Sequence, residues 1–150
     1  MRTKSAVYFV CKIRYEKNQE DGFIKKVTEA YVVEALTFSE AETSIIKEMS
    51  AYISGEMEVV DISRAPFREI FFSDDTLADK WYKGKLQYLT YDEKTNKEKR
   101  NNVIYLVQAG SLEDARKNID KVMGTTMNDY VTIGVNETNI MDVFEYTGGK

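Results

Sequence analysis

Apolar and polar residues alternate over residues 6–16, which predicts a β-strand with one buried face. The positions predicted to face the core are Val7, Phe9, Cys11, Ile13 and Tyr15. The positions between them, from Tyr8 to Arg14, are predicted to face the other way. A charged stretch ending in Asp21-Gly22 then indicates a hairpin turn, and a second strand is predicted over about residues 23–36.

A helical pattern follows the hairpin. Thr37 and Glu40 fit a capping box, and apolar residues recur after them at helical spacing. We predict a helix over residues 38–53 whose buried stripe is Ala41, Ile45, Met49 and Tyr52. A third strand is predicted over residues 56–64, and a short apolar segment, residues 67–72, comes after Pro66. This part of the chain therefore predicts the order strand, strand, helix, strand.

The same order of patterns returns in the second half of the chain. We predict strands over residues 81–91 and 102–109 around a charged hairpin tip, then a helix capped by Ser111, a strand over 129–135 and a closing apolar segment, 139–146. Residues 105–115 repeat the pattern of residues 31–41, and Lys12-Ile13 matches Lys85-Leu86. Cys11 falls on Gly84, which indicates a small, close-packed position. We interpret the chain as an internal duplication.

The duplication predicts an α+β fold of two tandem strand-strand-helix-strand repeats with pseudo-twofold symmetry. Each repeat is expected to form antiparallel sheet with one helix packed on it. The predicted boundaries are residues 1–72 for the first repeat, 73–79 for a polar linker and 80–150 for the second repeat. One such repeat is too small to bury much apolar surface alone, so we expect the two to share one core.

Composition and charge limit the classes of function. A net charge of -4 argues against a protein that coats duplex DNA by bulk charge. The lack of histidine and the single cysteine exclude the usual hydrolase triads and multi-cysteine metal sites. The chain contains no nucleotide-binding fingerprint and no apolar run long enough to span a membrane. We therefore expect a cytoplasmic, non-catalytic protein with no metal, no cofactor and no membrane partner.

The outer face of the two predicted hairpins carries the candidate binding residues. Aromatic rings interleaved with cations on a sheet suit single-stranded nucleic acid, because bases stack on rings while cations follow phosphates. The predicted set is Tyr8, Lys12, Arg14, Lys25, Lys26, Trp81, Lys83, Lys85, Lys99 and Arg100. Nearby carboxylates such as Glu16 and Asp92 weaken the positive field. A solvated sheet face, or a contact between two copies of the chain, is the alternative interpretation.

Three hypotheses for function follow. The first is a non-catalytic accessory of replication or recombination that binds single-stranded nucleic acid. The second is a protein-interaction or structural module, or a sequestering protein, which uses the aromatic sheet face or the cleft between repeats. The predicted fold indicates a homodimer or a larger assembly, because sheet edges and aromatic faces need cover. The third is an enzyme that uses Asp74 and Asp75, and it ranks last because consecutive aspartates in a linker usually keep it solvated.

Three stretches of the chain have a distinctive sequence, namely Lys25–Leu36, Ile53–Val59 and Ile140–Phe144. They resemble an uncharacterised family of small proteins from gut Bacteroidetes and their phages. That family carries only a label of unknown function. The resemblance therefore implies a bacterial or phage cytoplasmic setting, and it assigns no activity and no site residue.

Overall fold

The computed structural model describes residues 1–146, which form two helices and nine strands in two sheets. The helices are α1 (Phe38–Ser50) and α2 (Leu112–Met123). The strands are β1 (Arg2–Lys4), β2 (Tyr8–Asn18), β3 (Ile24–Glu34), β4 (Met57–Arg64), β5 (Glu69–Phe72), β6 (Lys80–Asp92), β7 (Lys97–Ala109), β8 (Asp129–Glu137) and β9 (Ile140–Phe144). The predicted α+β class is confirmed. Residues 147–150, the end of the predicted second repeat, lie outside the described residues.

The chain folds into two compact units, and neither unit is continuous in sequence. The α1 unit comprises Val7–Ala65 and residues 139–146. The α2 unit comprises Met1–Ala6 and Pro66–Thr138. Residues 73–79 connect β5 to β6 within the α2 unit. The division into residues 1–72, 73–79 and 80–150 describes a repeat in the sequence, and it stays a prediction. The compact units are a different division, because they reflect which strands pair with one another.

Each sheet contains a strand that comes directly after a long segment of the other unit. In the α2 sheet this strand is β5, which follows Val7–Ala65 of the α1 unit, and in the α1 sheet it is β9, which follows Pro66–Thr138 of the α2 unit. The order of the α1 sheet is β4-β2-β3-β9, and that of the α2 sheet is β1-β5-β7-β6-β8. The prediction of antiparallel sheet holds for the hairpins β2-β3 and β6-β7. It is wrong for β9, which runs parallel to β3, and for β5, which runs parallel to β7. These two strands arrive by crossovers, and such connections allow parallel pairing.

The core of the α1 unit is built from the predicted inward face of β2 and the stripe of α1. It contains Phe9, Cys11, Ile13, Tyr31, Val33, Ala35, Ala41, Ile45 and Met49, all of them buried. The backbone amide of Glu40 donates to Thr37 Oγ1 at 3.1 Å, which confirms Thr37 as the helix cap. The prediction that Tyr52 lies on the buried stripe is wrong. The helix ends at Ser50, and Tyr52 is 76% exposed beyond it.

The core of the α2 unit packs α2 on the hairpin β6-β7. Leu86, Val107, Ile119 and Met123 are buried there. A Cβ on Gly84 would lie 2.8 Å from Ile119 Cδ1, so any side chain at this position would require the Ile119 side chain to move. The matching residue in the α1 unit, Cys11, is fully buried. Both observations confirm the predicted small, close-packed position.

Two local predictions are wrong. The sequence pattern predicts no strand before residue 6, yet residues 2–4 form β1, which pairs antiparallel with β5. The predicted charged tip over residues 92–100 is shorter, because β6 continues to Asp92 and β7 begins at Lys97. The reversal occurs in four residues, and Asn96 within it adopts a φ of 57°. Lys99 and Arg100 therefore lie in a strand.

Candidate functional site

Two residues of the predicted binding set, Tyr8 and Trp81, are buried. Tyr8 is 1% exposed at the start of β2, and Trp81 is 3% exposed near the start of β6. The Trp81 ring meets the Phe72 ring edge to face, with centroids 5.8 Å apart. A base can stack only on a ring face that solvent reaches. These two rings are therefore not accessible to a nucleic acid in this structure.

Tyr8 and Trp81 instead anchor the points where the chain leaves each unit. The amide of Ala65, the last residue before the chain enters the α2 unit, donates to the Tyr8 carbonyl at 2.8 Å. The amide of Thr138, the last residue of the α2 unit before the chain returns to the α1 unit, donates to the Trp81 carbonyl at 2.9 Å. The Thr138 hydroxyl donates to the same carbonyl at 2.8 Å. The two anchors are equivalent in the two units, which indicates a structural role.

The remaining predicted residues of the α2 unit divide between the two faces of the hairpin. Lys83 and Lys85 alternate with Gly84 and Leu86, which face α2, so the two lysines lie on the opposite face. Arg100 pairs with Leu89 on that same face. All three cations are exposed, and none has an ion pair within residues 1–146.

Polar and aromatic side chains complete this surface. Gln87 Nε2 donates to Asn102 Oδ1 across the hairpin at 2.9 Å, and Tyr91 is 61% exposed at the hairpin end. We define the cationic face of the α2 unit as Lys83, Lys85, Gln87, Tyr91, Arg100 and Asn102.

Among the described residues, carboxylates lie on this face only at the end that is close to the β6-β7 turn. Glu98 lies opposite Tyr91, and Asp129 lies opposite Leu89. On β8, the partners of Lys83 and Lys85 are Asn136 and Gly134, which are uncharged. Lys83 and Lys85 therefore have no carboxylate at a paired position, and the positive charge there is not neutralised across the strands.

Lys99 does not belong to the cationic face. It follows the alternation of Val103 and Tyr105, which face α2, and its Nζ lies 3.8 Å from Asp92 Oδ2. The structure therefore brings together Lys83, Lys85 and Arg100 and separates Lys99 from them.

The matching surface of the α1 unit is neutralised. Lys12 and Arg14 are exposed, but their partners on β4 are Asp61 and Glu58. Arg14 Nε also donates to Thr28 Oγ1 at 3.3 Å. Exposed Lys26 shares this face and lies opposite Glu16. Each of these cations faces a carboxylate directly across the sheet, which lowers the local field.

Lys25 lies on the other face of the α1 sheet. It is exposed and pairs with Lys17, so it alternates with Lys26 along β3. Lys25 is therefore separated from Lys12, Arg14 and Lys26 within the α1 sheet, just as Lys99 is separated from Lys83, Lys85 and Arg100 within the α2 sheet.

A polar cluster that sequence reasoning missed lies on the helix side of the α1 sheet. Glu29 accepts hydrogen bonds from the hydroxyls of Tyr15 (2.8 Å) and Tyr31 (3.1 Å), and Lys17 Nζ lies 3.6 Å from it. Burial, followed by the Glu29 carboxylate, raises the pKa of Tyr15 to about 12 and also raises the pKa of Tyr31. Both hydroxyls therefore stay protonated as donors. The signal in the sequence was a glutamate at an inward position of an alternating strand.

The α2 unit has a related pair at the matching positions. The hydroxyls of Tyr88 and Tyr105 hydrogen-bond to each other, and burial is the main cause of a raised pKa at Tyr105. A further hydroxyl, that of Tyr130, donates to Asp120 Oδ1 at 2.8 Å. These hydrogen bonds connect β6 to β7 and β8 to α2, so we assign the tyrosines a structural role.

The remaining candidates for chemistry are held in local structure. Burial, with a smaller contribution from Asp61, raises the pKa of the Cys11 thiol to about 12. Asp75 Oδ1 accepts from the Leu77 amide at 2.9 Å, and Asp74 Oδ2 contacts the terminal ammonium of Met1. Within residues 1–146, no group of three or more acidic or cysteine side chains converges as metal ligands would. Neither α1 nor α2 has the length and apolar content to cross a membrane.

Comparison with curated proteins and with solved structures gave no match to the chain. The sequence model of one family, a domain of unknown function designated DUF4494, matches residues 7–146. This range includes every strand and helix except β1. The chain therefore belongs to the DUF4494 family of domains of unknown function.

Proposed function

We propose that the protein is a non-catalytic binding protein that holds single-stranded nucleic acid on the cationic face of the α2 unit. The observation that carries the proposal is the exposure of Lys83, Lys85 and Arg100 on one sheet face without an ion pair in the described chain. The cations would follow phosphates, while the amides of Gln87 and Asn102 would meet base edges. Tyr91 offers the exposed ring on which a base can stack.

The size of this face favours a short single strand over a duplex. Three cations neutralise few phosphates, and the net charge of the chain is -4. For single strands, each neutralised phosphate contributes about 0.7 to the slope of log affinity against log salt. Contacts from three cations therefore predict a slope of about -2. The ligand would be held weakly by each protein molecule, as suits an accessory of replication or recombination.

The α1 unit is expected to contribute less to this binding. Asp61 and Glu58 lie opposite Lys12 and Arg14, so a phosphate approaching these cations would also meet carboxylates. This difference supplies a matched control for the proposal, because the two faces share the same position in their hairpins and differ in net charge.

We also infer that the two units arose by duplication, as tandem strand-strand-helix-strand repeats. In support, Val33 pairs with Phe144 in the α1 sheet, and the matching residues Val107 and Phe71 pair in the α2 sheet. A cytoplasmic bacterial or phage setting and a homodimer remain predictions from the sequence. Size-exclusion chromatography with light scattering tests the dimer.

Fluorescence anisotropy of a labelled oligothymidine, titrated at low and then moderate salt, tests the nucleic-acid proposal. We expect salt-sensitive binding that falls about tenfold or more in the double variant Lys83→Ala/Lys85→Ala, because two of three phosphate contacts are lost. The control variant, Lys12→Ala/Arg14→Ala, should bind almost as wild type does. Absence of binding at low salt would overturn the proposal. Equal losses in the two double variants would overturn the assignment to the α2 unit.

The second candidate function is a protein-interaction module. The α1 sheet ends at β9, with no further strand beside it in the described chain, and an open sheet edge is a common docking surface for extended peptides. A protein that ignores oligonucleotides but retains a polypeptide partner would favour this candidate.

A further inference from the structure

The two sheets differ at one edge. In the α2 sheet, the outer side of β5 is covered by β1, with Arg2 opposite Phe72, Thr3 opposite Phe71 and Lys4 opposite Ile70. In the α1 sheet, β9 is the last strand, and no strand of the described chain pairs with its outer side. The edge that is covered in one unit is therefore open in the other.

β5 and β9 occupy equivalent positions in their sheets, and the pairing corresponds at Ile70 and Val143 and at Phe71 and Phe144. Phe71 of β5 pairs with Val107, and Phe144 of β9 pairs with Val33. Phe71 stacks on Tyr105 with ring centroids 4.7 Å apart. Phe144 likewise stacks on Tyr31, at 5.7 Å. By backbone pairing and by ring stacking, Phe144 therefore occupies in the α1 sheet the position that Phe71 occupies in the α2 sheet.

The open edge borders an acidic cleft of about 270 Å³ between α1 and the end of β9. Its lining includes the carboxylates of Glu34, Glu40, Glu48 and Glu145, and one cation, Lys47. The floor beside the strand is formed in part by Phe144. An excess of carboxylates around a strand edge favours a positively charged segment, because complementary charge raises both the rate and the selectivity of docking.

The segment that covers the equivalent edge of the α2 sheet is itself basic. β1 has the sequence Arg-Thr-Lys, and the Arg2 guanidinium lies 3.9 Å from the centroid of the Phe72 ring. The position of Phe72 corresponds to Glu145 in the α1 unit, one residue after Phe144. The aromatic ring that Arg2 contacts on β5 is thus replaced by an acidic side chain at the equivalent position after β9.

We propose that the outer edge of β9 binds an extended basic peptide segment of a partner protein, which pairs antiparallel with β9 as β1 pairs with β5. Main-chain hydrogen bonds would supply affinity, and the surrounding glutamates would select lysine or arginine in the segment. The Val143 amide now donates to the neighbouring Asp142 carboxylate at 2.8 Å, a local bond that an incoming carbonyl can displace.

A second copy of the chain is a poorer occupant. Antiparallel pairing of β9 with another β9 would bring the acidic residues Asp142 and Glu145 of one strand close to those of the other. Like charges across paired strands destabilise a sheet. The edge therefore fits a different polypeptide of opposite charge. This inference does not rest on the nucleic-acid proposal, because it concerns another sheet and another class of ligand.

The test titrates the full protein with a fluorescein-labelled peptide that carries the sequence of residues 1–6, followed by anisotropy. A second peptide, in which Arg2 and Lys4 are both replaced by glutamate, is the control ligand. We expect binding of the basic peptide only. We expect affinity to fall about fivefold or more in the double variant Glu40→Gln/Glu48→Gln, because the attraction of two half-buried carboxylates for the peptide is lost. Both substitutions keep the size and polarity of an exposed or half-buried side chain, so folding should be preserved.

Two further measurements distinguish strand pairing at β9 from a nonspecific attraction of the basic peptide to acidic side chains. The variant Glu20→Gln/Glu42→Gln removes the same charge away from the cleft and should bind as wild type does. Hydrogen exchange should show slower exchange at residues 140–144 when the basic peptide is bound. The proposal is overturned by no binding at low salt, by equal losses in the two double variants, or by protection elsewhere than β9. The variant Lys83→Ala/Lys85→Ala should leave peptide binding unchanged, which separates this outcome from that of the nucleic-acid test.

Discussion

The ring of Phe144 stacks on the ring of Tyr31, with centroids 5.7 Å apart and an angle of 17° between the planes. The matching pair, Phe71 and Tyr105, stacks at 4.7 Å and 27°. In each pair, one ring belongs to a hairpin and the other belongs to the strand that arrives from the other half of the chain. These contacts join the crossing strand to the sheet that it completes.

The variant Phe71→Ala should lower the free energy of unfolding by about 3–5 kcal/mol, because a fully buried aromatic ring is removed from a packed core. Phe144→Ala should cost less, since this ring is only half-buried. Met141 is 51% exposed on β9, so Met141→Ala should change the free energy by no more than about 0.5 kcal/mol. Urea denaturation followed by far-ultraviolet circular dichroism measures all three, because each unit contributes one helix and several strands to that signal. A loss at Met141 equal to that at Phe71 would contradict the packing described.

The variant Gly84→Ala should destabilise the α2 unit by about 1–3 kcal/mol, because the new methyl would lie 2.8 Å from Ile119 Cδ1 in a packed core. Gly134→Ala is the matched control, since the nearest atom to its added Cβ is 3.9 Å away. Thermal unfolding of the two variants makes the comparison. Equal melting temperatures would show that the Ile119 side chain can move aside without cost.

Stability should fall at alkaline pH. The pKa of Cys11 is raised from 9.0 to about 12 in the folded protein, and the pKa values of Tyr15 and Tyr130 are raised from 10.0 to about 12. Above pH 9 the unfolded chain therefore releases protons that the folded chain retains, which favours unfolding as pH rises toward 12. Melting temperatures between about pH 8 and pH 11 measure this loss. The variant Cys11→Ala should show a shallower decline, and an unchanged slope would contradict the assignment to Cys11.

Cys11 should not react with iodoacetamide in the folded protein at neutral pH. The thiolate is the nucleophile, and this thiol is fully buried with its pKa raised to about 12. Labelling should become fast in urea, and under native conditions it should report opening of the α1 core. Mass spectrometry of timed samples measures the reaction. Rapid modification without denaturant would show that β2 is more accessible than the structure indicates.

The faces of the hairpin strands could be predicted from the sequence, but their burial could be predicted only in part. Phe9, Cys11 and Ile13 alternate with polar residues, and the pleat of a strand turns that alternation into an inner face. Tyr8 shares its face with exposed Lys12, yet it is buried. One strand face is thus buried at one end and solvated at the other, and alternation carries no information about that change along the strand.

The pairing of distant segments could not be predicted. The segments that form β5 and β9 were visible as short apolar stretches, but the parallel pairing of Phe144 with Val33 leaves no local signal in the sequence. β1 was missed because Arg2 and Lys4 show no apolar pattern, and an edge strand can be held by backbone hydrogen bonds alone. For the same reason, the sequence could not show that Lys12 and Arg14 of the α1 sheet lie opposite carboxylates while Lys83 and Lys85 of the α2 sheet do not. Whether Lys12 faces Asp61 depends on the register of β4 against β2.

The positions of β5 and β9 in the chain also determine the order in which the two sheets can be completed during synthesis. The α2 sheet has all its strands once β8 is made, at Glu137. The α1 sheet waits for β9, although its other strands leave the ribosome first. Until then β3 carries an unpaired edge beside Val32 and Val33, which are fully buried in the finished protein. The half of the chain that is translated first is therefore completed last, and its open edge is exposed to other nascent chains in the interval.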